Sequence, residues 1–256
     1  PISLQEGWNW IGYIPQNSID IGSALNSIDD SGIFIKNQSS SAEYYAEFGW
    51  YGGLDAMAPS EGYMLEVSED SELTYPDFQV GDGLTRSKES INLPGTQALS
   101  AWNVNPHDYE FNGVITLSLD HQNDHQGDYV AAFVDGECRG IAEYRDDYPW
   151  EGDYGIYILM AYSNLKYGDE LTFKYYDSDK NEVVALTEKL EFIADMVVDN
   201  GISPFILSSD ANNRSTVESF VLNDAYPNPF NPTTLLSFSV IKEGYVNLSI
   251  YDMAGR

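Results

Sequence analysis

The sequence is poor in positive charge and in long hydrophobic runs. Its 256 residues hold 12 Lys and Arg against 41 Asp and Glu, a formal net charge of −29. Phosphate backbones and anionic lipid surfaces require clustered basic side chains, so nucleic acid and acidic membranes are excluded as partners. The longest apolar run, 154–162, is about half of the ~20 residues that a spanning helix needs, so we expect no membrane span.

The sequence also has only one cysteine and lacks the pattern of an N-terminal leader. The one cysteine, Cys138, cannot form an internal disulfide, so the sequence neither favours nor excludes an oxidising compartment. The chain opens at Pro1 without the basic and then apolar stretch that is typical of a signal peptide. We therefore expect an internal or processed piece of a longer protein.

Charge and loop-forming residues divide the chain into five parts. Residues 1–78, with 13 acids and one base, are predicted to form a β-rich α+β module. Residues 79–96 are near neutral and rich in Gly, Ser and Pro, which indicates a linker. Residues 97–208, with 21 acids and six bases, are predicted to form a second module. A polar linker at 209–219 then leads to a C-terminal segment, 220–256. We expect the two modules to fold separately.

The predicted fold class is mainly β. In the second module, short apolar runs recur every 8 to 15 residues without a clear long helix, which favours an antiparallel β-sandwich. The pair Asp135-Gly136 suits a two-residue hairpin turn, which would place Cys138 opposite Phe133. Residues 186–197 fit either a helix or a strand, and we favour a strand. The first module contains one predicted short helix at 20–28.

Aromatic residues are the most informative excess, with 19 Tyr and five Trp. Trp8, Trp10 and Trp50 lie in predicted strands, where some must be core. The loop 144–155 is instead rich in Pro, Gly and Asp, and its rings cannot all be buried. Exposed rings beside carboxylates are a common means of gripping sugars, and the competing interpretation is that these rings cap the edge of the sandwich. The candidate ligand-binding residues are Tyr148, Trp150, Tyr154 and Tyr157.

Two acidic stretches are candidate calcium sites. Residues 120–128 combine Asp and His, and their oxygen-rich composition suits a hard cation such as calcium better than zinc. Residues 177–182 carry oxygen-bearing side chains at alternate positions, although turn formation alone explains Asp and Asn there. The candidate metal ligands are Asp120, Asp124, Asp128, Asp177, Asp179 and Asn181, with calcium as the possible cofactor.

No catalytic motif emerges from the sequence. It contains no Gly-x-Ser-x-Gly elbow, phosphate loop or dinucleotide fingerprint. With 41 carboxylates, the proximity of two of them carries no information about a glycosidase pair. A non-catalytic binding protein is therefore favoured, and the alternative is that 97–208 is a small hydrolase or lyase acting on polysaccharide.

The C-terminal segment carries the most specific motif, YPNPFNPTT at 226–234. Its three prolines impose an extended entry, and the following LLSFSV alternates like a half-buried strand. From about residue 220 to 256, this segment resembles the C-terminal sorting domain of proteins exported by the Por (type IX) secretion system of Gram-negative bacteria. The residues that carry the resemblance are Tyr226, Pro227, Asn228, Pro229, Phe230, Asn231 and Pro232.

The resemblance implies a small β-sandwich that addresses its passenger to the outer-membrane exporter. The family's domain continues for several more strands, whereas this chain ends at Arg256, so the match covers a truncated domain. The strings GWNW, GWYGGL and EGYML of the first module weakly resemble small modules that precede such domains, with no known activity. We expect a secreted or cell-surface protein of a Gram-negative bacterium that binds a glycan or another surface ligand and engages the type IX machinery.

Overall fold

The computed structural model describes residues 1–76, 93–120, 124–148 and 155–209, and the backbone of two short strands further on. The chain divides into two compact units, Pro1–Ser209 and Asp210–Arg256. The first unit therefore contains both β-rich blocks, and most of the expected linker between them lies outside the described residues.

Short strands dominate the described part of the first block, as its alternating sequence predicts. They are β1 (Ile2–Leu4), β2 (Gly7–Gly12), β3 (Ile19–Asp20), β4 (Gly32–Lys36), β5 (Ser41–Tyr45), β6 (Gly49–Gly52), β7 (Ala56–Met57), β8 (Gly62–Val67) and β9 (Ser71–Leu73). The helix α1 (Ile21–Leu25) continues as a 3-10 turn, Asn26–Ile28. The side chain of Asp20 accepts a hydrogen bond from the Ser23 amide, which caps α1 at its start.

Longer strands make up the second block. They are β10 (Phe111–Leu119), β11 (Tyr129–Val134), β12 (Glu137–Arg145), β13 (Ile156–Ser163), β14 (Tyr167–Asp177), β15 (Glu182–Ile193), β16 (Val197–Val198) and β17 (Phe205–Leu207), preceded by 3-10 turns at Gln97–Leu99 and Pro106–Asp108. In the second unit, β18 (Val221–Leu222) pairs with β19 (Phe238–Ser239) in antiparallel register.

The first sheet has the strand order β2-β8-β4-β5-β6 and is antiparallel. Its inner face packs against α1, where Ala24 and Leu25 are completely buried with Ile35 and Leu65 of the sheet. Because side chains alternate between the faces of a strand, Trp8, Trp10 and the residues in register with them lie on the outer face.

The second sheet has the order β15-β14-β11-β12-β13-β10-β16, and β17 pairs with β10 in parallel. The amide of Thr187 on β15 donates to the carbonyl of Ser208, just after β17, at 2.9 Å. The sheet therefore curls toward closure, and its concave face surrounds a core that includes Leu117, Leu159 and Phe173. The segment before β10 covers part of the convex face, where Trp102 packs edge-on against Phe133.

The two sheets pack on each other through their outer faces. Phe34 of the first sheet is buried in one cluster with Val114, Met160 and Tyr162 of the second. The hydroxyl of Tyr162 donates to the carbonyl of Gln38 at 3.1 Å, which secures the turn between β4 and β5. The sequence had not indicated this contact between the two blocks.

The prediction of a mainly β fold is confirmed. The Asp135-Gly136 hairpin is present, with φ of 49° and 84° at the two turn residues, and it sets Cys138 opposite Phe133. The ambiguous segment 186–197 continues β15 as far as Ile193, so the strand assignment holds there. In the first block, β5 and β6 form a hairpin whose turn is at residues 46–48.

Candidate functional site

The outer face of β2 carries the most exposed tryptophan of the described residues. Trp10 is 80% exposed and Trp8 is 37% exposed, whereas Ile11 on the inner face is buried. Trp8 packs edge-on against Phe34, with 6.1 Å between ring centroids, while Trp10 extends into solvent. Sequence reasoning missed this face because it treated the strand tryptophans as core candidates. The alternation of Trp with Asn and Ile along GWNWI was the signal that could have found it.

Of the four expected ligand-binding aromatics, Tyr148 and Tyr157 lie in described residues, and Trp150 and Tyr154 do not. Tyr148 is half-buried, with its ring centroid 6.1 Å from that of Tyr51 on the first sheet. It thus lies between the sheets, which matches the competing interpretation of a ring that folds back against the protein.

The assignment of Tyr157 to an exposed binding surface is wrong. Its side chain is completely buried in the core of the second sheet and packs edge-on against Tyr144 at 5.9 Å. The reason is parity, since Tyr157 and Leu159 point to the concave face of β13 while Ile158 and Met160 point outward. Burial and the nearby Asp124 carboxylate raise the pKa of Tyr157.

A narrow cleft of about 10 Å³, room for about one water molecule, lies where Tyr148 meets the first sheet, lined also by Glu43, Tyr45 and Thr116. The Tyr45 hydroxyl donates to the Glu43 carboxylate at 2.6 Å and accepts from the Gly201 amide at 3.0 Å. Small-molecule pockets begin at roughly 300 Å³, so the cleft is far below the size that such a ligand needs. These contacts lock the edge of the first sheet to the loop before β17.

Glu43 is the one carboxylate among the described residues that line this cleft. Burial raises its pKa to about 7, the hydrogen bond from Tyr45 opposes the shift, and the charge of Glu66 adds to it. A carboxyl group that titrates near neutrality can act as a general acid or base. Here the group accepts a hydrogen bond from Tyr45 in a space too small for a sugar.

Lys36, the single base of residues 1–78, is buried between the sheets with 1% of its side chain exposed. Its ammonium group donates to Asp195 at 2.8 Å and to the Asn112 side chain at 2.9 Å, both in the second block. Burial lowers the pKa of Lys36, and the hydrogen bond and charge of Asp195 oppose that shift. The one basic side chain of residues 1–78 is therefore paired with an acidic side chain where the two sheets meet.

The two acidic stretches proposed for calcium lie side by side. Asp128, which is fully buried, accepts hydrogen bonds from the Tyr175 hydroxyl at 2.6 Å, the His125 amide at 3.0 Å and the Ser178 amide at 2.8 Å. These three donors tie the loop before β11 to the turn after β14. All three donors to Asp128 thus belong to the protein.

The second stretch forms the turn between β14 and β15. Asp177 accepts from the Lys180 amide at 2.9 Å and pairs with its ammonium group, and the Asn181 side chain accepts from the Tyr176 hydroxyl at 2.9 Å. Asn181 adopts a positive φ of 53°, a conformation that Asn tolerates in turns. Turn formation therefore accounts for these residues.

Asp179 meets the other stretch through His125, whose Nε2 lies 3.0 Å from the Asp179 carboxylate. That hydrogen bond is the main reason why the pKa of His125 is raised. Asp124 is buried beside Tyr157, and Asp120 is half-buried at the end of β10. In the part of the chain that the structure describes, no three His, Cys, Asp or Glu are arranged to hold a metal ion. Calcium binding stays a prediction.

Cys138 is buried in the cluster that contains Phe133, as its predicted register requires. Burial raises the pKa of its thiol, which disfavours the reactive thiolate. A small hydrophobic role follows from this environment.

The YPNPFNPTT motif lies outside the described residues. None of the helices in the described ranges is long and apolar enough to cross a bilayer. Comparison with protein-family models, with curated proteins and with solved structures found no match to the chain.

Proposed function

We propose that this chain is a non-catalytic portion of an exported protein of a Gram-negative bacterium. In this proposal the β-rich unit binds a glycan or another cell-surface ligand, and the C-terminal segment addresses the protein to the type IX secretion system. The observation that carries the proposal is the nine-residue word YPNPFNPTT followed by an alternating strand pattern. The solvent-exposed tryptophan of β2 supports the binding part, since large exposed rings mark interaction surfaces.

The export part is tested by fusing the full chain to a fluorescent reporter behind a periplasmic leader. The host is a Gram-negative strain with type IX machinery, compared with the same strain lacking its outer-membrane translocon. We expect reporter on the cell surface or in the medium only when the translocon is present.

A triple variant, Pro227→Ala, Pro229→Ala and Phe230→Ala, is expected to leave the reporter in the periplasm. Pro94→Ala is the matched control, because Pro94 is an exposed proline far along the chain from the motif. Export of the triple variant at the level of the parent chain, or periplasmic retention of the parent itself, would refute the secretion assignment.

A further inference from the structure

Two tryptophans lie on the same face of β2, at the edge of the first sheet. Trp8 and Trp10 are two residues apart, so their Cα atoms are ~7 Å apart along the strand and their side chains point to the same side. Trp10 is 80% exposed and Trp8 37% exposed. This spacing is comparable to that of neighbouring rings in a sugar chain, so each indole can face a ring of its own.

The backbone beneath these rings is rigid. All six residues of β2 pair with β8, from Gly7 opposite Val67 to Gly12 opposite Gly62. Trp8 is further held by the edge of Phe34 and by the Lys36 ammonium group, 5.8 Å from its ring centroid. An aromatic surface that is already oriented loses little conformational entropy when a ligand stacks on it.

The charge around this face selects against anionic ligands. Lys36 is the one base within residues 1–78, and its ammonium group is buried and already bound to Asp195 and Asn112. Glu66 lies opposite Trp8 in the register, and its half-buried carboxylate can accept from hydroxyl groups. A ligand rich in hydroxyls and without negative charge fits this surface.

The size of the patch argues against a stable protein partner. Two fully exposed indoles would supply roughly 300–500 Å² of surface, and Trp8 is only 37% exposed, whereas a stable protein interface buries about 800 Å² on each partner. Ile14, 74% exposed, lies just beyond the strand and adds only one more apolar side chain. The area suits a narrow polymer laid along the strand.

We infer that Trp8 and Trp10 form a stacking platform for a neutral polysaccharide, with Glu66 accepting hydrogen bonds from its hydroxyl groups. This inference rests on the proposed ligand-binding function and gives it a site and a ligand class. This inference places the site on β2 of the first sheet, whereas the sequence favours the loop 144–155.

The experiment is native affinity electrophoresis of the full chain in gels that contain one soluble polymer each. The probes are hydroxyethyl cellulose and galactomannan, which are neutral, and polygalacturonate, which is anionic. We expect retardation by at least one neutral polymer and none by polygalacturonate. Trp10→Ala should weaken the neutral interaction at least tenfold, and Trp8→Phe should weaken it by less because the ring is conserved.

Tyr167→Ala is the matched control, since Tyr167 is 72% exposed on the second sheet, and it should bind like the parent chain. Near-ultraviolet circular dichroism establishes that each variant retains its fold. If the parent and Trp10→Ala are retarded equally, the platform is refuted while glycan binding survives at another site. If none of the three polymers retards the parent chain, both the platform and the glycan-binding function are refuted. Retardation by polygalacturonate alone overturns the choice of a neutral ligand.

Discussion

Trp10 and Tyr157 occupy similar positions, each within a strand of an antiparallel pair, yet one is 80% exposed and the other is not exposed at all. The second sheet curls so that its concave face encloses Tyr157. The first sheet has an outer face that the second sheet covers only in part, at Phe34 and Lys36, which leaves the β2 edge open. Exposure of an aromatic ring is thus set by the layer above the strand rather than by the strand itself.

The most direct test of this comparison is to remove each ring in a separate variant. Tyr157→Ala leaves a cavity in the core of the second sheet and should lower the free energy of unfolding by about 3 to 5 kcal/mol. Trp10→Ala should change it by less than about 0.5 kcal/mol, because the ring is solvated. Urea titration of both variants measures this. Equal losses in the two variants would show that the β2 face is covered in solution.

The junction of the two sheets provides a second test. Asp195→Ala removes an ion-pair partner of the buried Lys36, and we expect a loss of about 1 to 2 kcal/mol. The value is below that of a fully buried pair because the Asp195 side chain is 51% exposed and Asn112 still binds the ammonium group. Adding Lys36→Met should restore part of the loss in urea unfolding. A further loss in the double variant would contradict this account.

Glu43 makes the junction sensitive to pH. Its pKa of about 7 in the folded chain lies above the usual 4.5, so the folded state binds the proton more tightly. The stabilisation that Glu43 gives to the folded state is therefore complete below pH 4.5 and is lost as the pH rises through 7. Between pH 5 and pH 8, the parent should lose on the order of 2 kcal/mol more stability than Glu43→Gln.

The control for this measurement is Glu72→Gln, which neutralises an exposed carboxylate on β9. It should follow the pH dependence of the parent chain. Parallel stability curves for the parent and Glu43→Gln would mean that Glu43 is ionised in the folded protein at pH 5.

Calcium is expected to have the smallest effect. With a net −15 on residues 97–208, a bound cation reduces self-repulsion and should raise the melting temperature by about 1 to 3 °C. Calorimetry in millimolar calcium and in EDTA, at matched ionic strength, measures the shift. Asp124→Asn should abolish it if the loop before β11 holds the ion. Identical melting temperatures in the two buffers would show that calcium does not stabilise the protein.

Local pattern was sufficient for much of the fold. The Asp-Gly turn predicts the hairpin and the position of Cys138, because a two-residue turn fixes register. The helix at 20–28 is present as α1 and its 3-10 extension, because Ile21, Ala24, Leu25 and Ile28 share one face. These features depend on residues close together in the chain.

The site depended on contacts that local pattern does not report. Alternation shows that Trp8 and Trp10 share a face, but it does not show that Phe34 is covered by the second sheet while Trp10 is left open. Likewise, the two acidic stretches are about 50 residues apart in the sequence, and only the pairing of β11 with β14 brings Asp128 to Ser178.

The hydrogen bonds across the junction have a consequence for how the chain folds. Lys36 and Asp195 are 159 positions apart, and the Gly201 amide reaches Tyr45 across 156 positions. The entropy cost of closing such long loops comes before the stabilising contacts form. Contacts of this kind raise the contact order, and slow folding is expected. In synthesis from the N-terminus, the first sheet emerges before the strands that cover Phe34 and neutralise Lys36. The cover over Phe34 is incomplete until residue 162 has been made, and the cross-sheet contacts of Lys36 with Asp195 and of Tyr45 with Gly201 wait for residues 195 and 201. During that interval the nascent first sheet exposes part of its outer face and is most open to a chaperone.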